Sequence, residues 1–421
     1  MPHVTSIRVS LASLALLAAC AAWPMSASAQ GAPDPDQISA LIDAGRAGEA
    51  RERLLPAVRD GDATAQALLA DMLRRGVGVA QDFQRAVELN RAAAGQGNAM
   101  AHNALGQAYA SGLGVAADRD QALFHLREAA ESGAPAYQVD YGLALEDGLG
   151  GTADPAGAAR WYEEAAGQGF APAMTSLGVL YYEGRGVERD TVEAIAQFRA
   201  AAELGDARAQ NNLGLILVRG EEVERDYEAA FALFQAAVDQ GLEEAFGNLS
   251  VMYANGFGVA TSETEAARLL EAGRRAGALA LPALLERIGF PYDPRLREAD
   301  WDVEPGPEDI AAASAGDPVA LYRMAWRRLN GYGVRQNFDA AVQLFEQASE
   351  AGLGSGAFAL GLMYARGTGV PQDFETAYVW MSVAARRGNM NAAIVRDALI
   401  RILPAGRVEQ AQERVSAQLP D

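Results

Sequence analysis

The stretch "YYEGRGVERD" at residues 181–190 returns almost letter for letter as "LVRGEEVERD" at 217–226, thirty-six positions on. Both copies follow a helix-patterned apolar run. Both end in Asp, whose side chain can accept from the free amides of a helix's first turn. Each copy therefore reads as the turn of a helical hairpin plus the cap that starts the next helix. Glu222 stands where the first copy has Gly186, and a loop of different shape is expected there.

Working outward, the interval holds along the chain. Glycines that end helical runs stand at Gly61, Gly97, Gly133, Gly169, Gly205, Gly241 and Gly277, then at Gly316, Gly352 and Gly388. The steps are thirty-six residues, except for 39 between Gly277 and Gly316. Twenty-one positions after the anchors come Asp82, Asp118, Asp154, Asp190, Asp226, Ser262, Asn337 and Asp373, all good N-caps. Four residues later every full unit has Ala, from Ala86 to Ala377, small enough for close approach of a partner helix. The first helix of each unit pairs a large residue, such as Leu105 or Leu177, with a small neighbour, often Gly106, Gly142, Gly178, Gly214 or Gly361. An interior Gly costs about 1 kcal/mol relative to Ala, so its recurrence implies tight helix packing.

A hairpin of this length cannot bury a core alone, so the units must stack, each covering its neighbour's apolar face. The expected fold is all-α: a right-handed superhelical α/α solenoid of about eight units, elongated and suited to gripping another macromolecule. Initial helices cover 36–61, six units 62–277, and two more 317–388, with closing helices over 389–421. The pattern "A-x-x-x-LG-x-x-Y-x-x-G-x-GV…D…A…AA-x-x-G", nearly complete at 170–205 and 353–388, resembles the Sel-one-like repeat family, relatives of the tetratricopeptide repeats.

Residues 278–316 depart from the pattern, with no G-x-G-V turn and with five prolines from Pro282 to Pro307. They read as a degenerate unit bridging two stacks, with a short second helix, or as a docking loop presenting Phe290, Tyr292 and Trp301. At the other extreme of the chain, Arg8, the apolar run Val9–Trp23 and Ala27-Ser28-Ala29 read as an export signal cut after Ala29. "LAAC" at 17–20 offers the alternative of lipidation at Cys20, the only cysteine. No transmembrane segment is expected in the mature chain, and membrane anchorage only if Cys20 is lipidated.

Chemistry is sparse. The basic residues are 35 Arg and no Lys, which excludes phosphate-loop, Schiff-base and Ser-x-x-Lys lysines. His102 and His125 lie on different helices of one unit and read as ordinary variable positions rather than a metal or acid/base pair. No cofactor and no catalytic residue are expected. A formal net charge of −20 argues against nucleic acid.

Binding is the better prospect. At about 100° per residue, the sixth and tenth positions after each anchor lie opposite the apolar stripe. These positions include Val139 with Leu143, Tyr322 with Trp326, and Phe358 with Leu362. They read either as contacts between neighbouring units or as a groove for a protein or peptide partner, anchored by the aromatic residues. The family resemblance implies protein binding, in bacterial members as adaptors and regulators of the envelope. It also implies a lesser alternative, a β-lactam-handling hydrolase, and a further one is a lipoprotein, lipidated at Cys20, that organises the cell wall.

Overall fold

A computed structural model describes residues 34–220, 222–276, 281, 284, 285, 288 and 304–418. Cys20 and Trp301 lie outside the described residues, as do Phe290 and Tyr292. Within them the chain is helical throughout. An opening pair, α1 (Pro35–Asp43) and α2 (Ala47–Arg59), is followed by six hairpins: α3 (Ala63–Arg75) and α4 (Phe83–Ala94), α5 (Ala99–Ser111) and α6 (Arg119–Ala130), α7 (Pro135–Glu146) and α8 (Pro155–Gly167), α9 (Ala171–Glu183) and α10 (Thr191–Glu203), α11 (Ala207–Arg219) and α12 (Tyr227–Asp239), α13 (Glu243–Asn255) and α14 (Glu263–Ala276). After the departing segment come α15 (Pro307–Ser314), the hairpins α16 (Pro318–Asn330) with α17 (Phe338–Glu350) and α18 (Gly354–Arg366) with α19 (Phe374–Arg386), and a final pair, α20 (Met390–Ile400) and α21 (Ala405–Gln418). The short second helix expected before Gly316 is α15, of eight residues.

The caps fall where the spacing puts them. Asp82 accepts from the amide of Arg85 at 2.9 Å and Asp190 from that of Glu193 at 2.9 Å, with Ser262 doing the same for Glu265 at 3.2 Å. Each satisfies a first-turn amide that has no partner inside its own helix. The in-helix glycines face a bulky residue of the partner helix: a methyl added at Gly142 would lie 2.4 Å from the ring of Tyr162, and one at Gly178 would lie 2.8 Å from that of Phe198. The missing side chain is thus the socket for the next helix's ring, and Tyr162 and Phe198 are buried in it.

The second glycine of each turn has a separate cause. A methyl at Gly186 would fall 2.3 Å from the carbonyl carbon of Pro155, the first residue of the preceding unit's second helix, and Gly114 meets Phe83 in the same way at 2.3 Å. Each turn therefore seats its backbone directly on the helix start of the unit before. Glu222 corrects the expectation of a different loop, because its φ of 59° is the left-handed conformation its glycine counterparts adopt, Gly186 at 71°. The backbone conformation is thus kept where the residue type changes.

First helices of adjacent units approach one another, α3 with α5, α7 with α9 and α11 with α13, so the first helices line the inside of the curve. That curve runs far enough to meet itself. Phe83, at the start of α4, shares one hydrophobic cluster with Tyr378, Val379, Leu399 and Val408 of the last three helices. Around it, the Tyr378 hydroxyl donates to Gln81 Oε1 at 2.7 Å and accepts from Gln412 Nε2 at 3.1 Å, while the Phe83 amide donates to Gln412 Oε1 at 3.1 Å. The α/α solenoid expected from the repeats thus closes on itself: α20 and α21 pack on α19 and also dock on the first hairpin turn.

Candidate interaction surface

First helices of adjacent units pack on one another as well as on their own partners, as in α3 with α5, α7 with α9 and α11 with α13, and a strip of each faces inward. Its sixth position lies in the seam. Val139, Tyr322 and Phe358 are buried there, as are the more polar Asn103, Thr175 and Asn211. Of the tenth positions, Leu143 and Leu362 are buried, Trp326 is half-buried, and Gln107 and Val251 are exposed.

The aromatic and aliphatic side chains expected at a partner groove are thus mostly packed against other helices. Val139 and Leu143 share a cluster with Tyr162 and Leu180, Tyr322 lies 5.1 Å from Phe345 between ring centroids, and Phe358 and Leu362 belong to the cluster that closes the array. Trp326 stacks on Tyr322 at 6.5 Å. These side chains pack within their own hairpin as well as between units, since Tyr162 and Phe345 lie on the second helix of the same hairpin as Val139 and Tyr322.

What the inner strip does offer lies in the first units and is polar. Asn103 Nδ2 donates to Asp140 Oδ2 at 2.9 Å, joining α5 to α7. Burial raises the Asp140 carboxyl above the usual aspartate range, a shift partly offset by hydrogen bonds from Asn103 and Gln107. The Tyr137 phenol is pushed up to about 12 by burial and by the charges of Asp140 and Asp71. Asp71 itself pairs with Arg74 at 2.5 Å and Arg75 at 3.3 Å. In the same register further on, Asn248 Nδ2 donates to Asn211 Oδ1 at 2.7 Å. The strip thus carries amide and carboxylate groups on successive helices, a geometry that suits hydrogen bonding along an extended or helical ligand and lacks an evident nucleophile.

The two histidines meet, with His102 Nδ1 3.0 Å from His125 Nδ1 and His102 Nε2 3.1 Å from the Ala94 carbonyl. Because a carbonyl only accepts, His102 carries its proton on Nε2 and His125 donates from Nδ1. Burial, followed by the proximity of His102, lowers the His125 pKa. Stacked on Tyr109 at 5.6 Å, His125 ties α5 to α6. Among the described residues no group of three or more His, Cys, Asp or Glu is placed to hold a metal ion. No described helix is long and apolar enough to cross a membrane.

The Sel1 repeat matches residues 63–98, 99–133, 135–170, 171–206, 207–242, 247–277, 318–353 and 354–389. The chain belongs to the Sel1 repeat family. Sel1 repeats generally serve as non-catalytic scaffolds that mediate protein interactions. Among solved structures, a Sel1 repeat protein from Oxalobacter formigenes is 26% identical over 56% of this chain and 95% of its own, with a TM-score of 0.52. The protective antigen c5321 of uropathogenic Escherichia coli, which displays an SLR fold, is 25% identical over 91% of this chain and 84% of its own, with a TM-score of 0.47. The immunity protein Pa5087 of Pseudomonas aeruginosa is 23% identical over 51% of this chain and 81% of its own, with a TM-score of 0.36.

The closing contacts of these Sel1 repeats were not legible in the repeat pattern. Gln81 sits at a turn position where Gln336 and Gln372 also occur, and all three donate back to the preceding helix, to Arg74, Leu329 and Ala365, each at 2.8 Å. Gln81 also holds Tyr378. Its residue type carries no sign of that second role.

Proposed function

We propose that this protein is a non-enzymatic scaffold or regulator of the bacterial cell envelope, which holds a protein or peptide on the inner surface of its Sel1 repeats. One observation carries the reading: Asp71, Gln107 and Asp140, from three successive first helices, present polar groups along one curved strip. A surface built of repeated helices reads an elongated ligand one unit at a time. The formal charge of −20 favours a partner with a basic or amide-rich face over nucleic acid or anionic lipid. Support for the envelope comes from the leader-like residues 1–29, with cleavage after Ala29, and Cys20 as an alternative lipid attachment point.

The test is affinity capture from an envelope extract with the chain beginning at Gln30, compared with a Gln107→Arg variant. A protein retained by the first and lost by the second supports the reading. Retention of the same proteins by both, or of none by either, sinks it. Fractionation of the full-length chain, with palmitate labelling of the native and Cys20→Ser forms, separates export from lipidation.

A further inference from the structure

Tyr137 and Asp140 set α7 apart from the other first helices. Four positions after the anchor glycine every other full unit has Ala or Gly, from Ala65 to Gly356, and α7 has Tyr137. Seven positions after it the next three units have Ser176, Asn212 and Asn248, and no full unit but this one has an acid. The two residues are one helical turn apart and so share a face. The Tyr137 phenol lies near enough to Asp140, and to Asp71 of α3, for both charges to raise its pKa. Ring and carboxyls therefore meet on the inner side of the curve.

Of the two carboxylates, Asp140 is the one without a counterion. Asp71 is held by Arg74 and Arg75, whereas Asp140 has no ion pair among the described residues and is bonded by the neutral amides of Asn103 and Gln107. Asn103 is 9% exposed, and its Oδ1 is buried with no hydrogen-bond donor among the described residues. An acceptor left so costs about 1–3 kcal/mol, and a carboxylate is dearer to bury than the Asn that serves at Asn248. What this place lacks is N–H groups and positive charge. Local costs of this kind, where a cheaper residue fits, concentrate at binding sites.

We propose that Asp140, Asn103 and Tyr137 form a subsite for a basic side chain of the bound protein, whose N–H groups bond the Asp140 carboxylate and the Asn103 oxygen while its charge lies against the Tyr137 ring. The amide that holds Asp140 is the one with the unsatisfied oxygen, so one cation supplies both. The subsite rests on the scaffold reading and gives the chemistry of one contact within it.

The probe is Nα-acetyl-lysine methylamide, titrated against the full chain and followed by saturation-transfer NMR, with its Nε-acetylated form as the uncharged control. The native chain binds the lysine derivative at millimolar concentration and the acetylated form about tenfold more weakly. Asp140→Asn, an amide the array already carries at this register, weakens binding about tenfold, the loss of a charged hydrogen bond. Tyr137→Ala, the residue of sister units, weakens it about threefold. Glu188→Gln removes one charge from an exposed turn and leaves binding unchanged.

Equal binding of the two derivatives overturns the proposal, as does undiminished binding by Asp140→Asn or Tyr137→Ala. A loss with Glu188→Gln as large as that with Asp140→Asn also overturns it, since general attraction to an acidic chain then accounts for the binding. An envelope protein lost by Gln107→Arg but captured undiminished by Asp140→Asn overturns the subsite and leaves the scaffold reading standing. Binding of the lysine derivative with no envelope protein captured does the reverse.

Discussion

Arg396 donates through Nη2 to the backbone carbonyl of Arg75 at 2.7 Å, joining the last helices to the first repeat. The Arg75 carbonyl lies in the last turn of α3, where the helix offers it no partner. Arg396 is only 2% exposed, and it also pairs with Asp397 at 2.8 Å. Replacing it by Ala leaves a carbonyl without its donor, and such a loss costs about 1–3 kcal/mol. The Arg396→Ala/Gln412→Ala variant is expected to keep its helical circular dichroism while its radius of gyration by small-angle scattering rises, as the last hairpin leaves the first turn.

Glu222 holds a left-handed backbone conformation that glycine occupies in sister turns. That geometry costs an ordinary residue roughly 1–2 kcal/mol, part of which glycine's greater freedom in the unfolded chain would offset. Glu222→Gly is therefore expected to stabilise the protein by about 1 kcal/mol in urea unfolding. The opposite change, Gly186→Ala, adds strain and a collision with the Pro155 carbonyl, for an expected loss of about 2–3 kcal/mol.

Gly142→Ala gains about 1 kcal/mol of helix propensity but drives a methyl into a ring that cannot yield. The Tyr162 hydroxyl donates to Glu146 Oε2 at 3.0 Å, which pins it. A net loss of about 2 kcal/mol is expected, since overpacking a fixed ring outweighs propensity. Phe345 packs in one cluster with Ala325, so a ring without a hydroxyl tether tolerates a methyl, and Gly178→Ala opposite Phe198 is expected to cost less. Combining Gly142→Ala with Tyr162→Leu should be strongly non-additive in the protective direction.

Asp140 carries a carboxyl whose pKa in the folded chain is raised above its ordinary 3.8. As pH climbs from that value through the folded pKa, the unfolded chain releases its proton first and stability falls. Asp140→Asn removes this loss, and the array already uses the replacement, since Asn211 and Asn248 pair at the same register. The variant is expected to be more stable at neutral pH, by about 1 kcal/mol, because a neutral amide is cheaper to bury than a carboxylate. Below pH 3.8 the two chains should converge, which thermal unfolding across a pH series would show.

Legibility in the sequence followed how local each cause is. The hairpins, their caps and the glycine sockets arise from contacts within a unit or with the next, so each leaves a mark at a fixed spacing: Asp82 to Asp373 for the caps, Gly142 with Tyr162 for the sockets. The Glu222 turn left no such mark, because a left-handed backbone is ordinarily signalled by glycine and Glu222 adopts it without one. Arg366 donates to the Leu285 carbonyl, about eighty residues away in sequence, and no repeat position marks that contact. Arg396 and Gln412 left no periodic trace, because a contact made once per molecule cannot repeat.

Open solenoids can lengthen or shorten by whole units, since each unit meets only its neighbours. The Arg396–Arg75 bond removes that freedom here. Duplicating or deleting one hairpin would swing the last pair of helices past the first turn or leave it short, even with every internal interface intact. The number of hairpins is thereby locked, as the number of staves is in a barrel, and lineages that keep this closure can vary their loops and inner side chains but not their count.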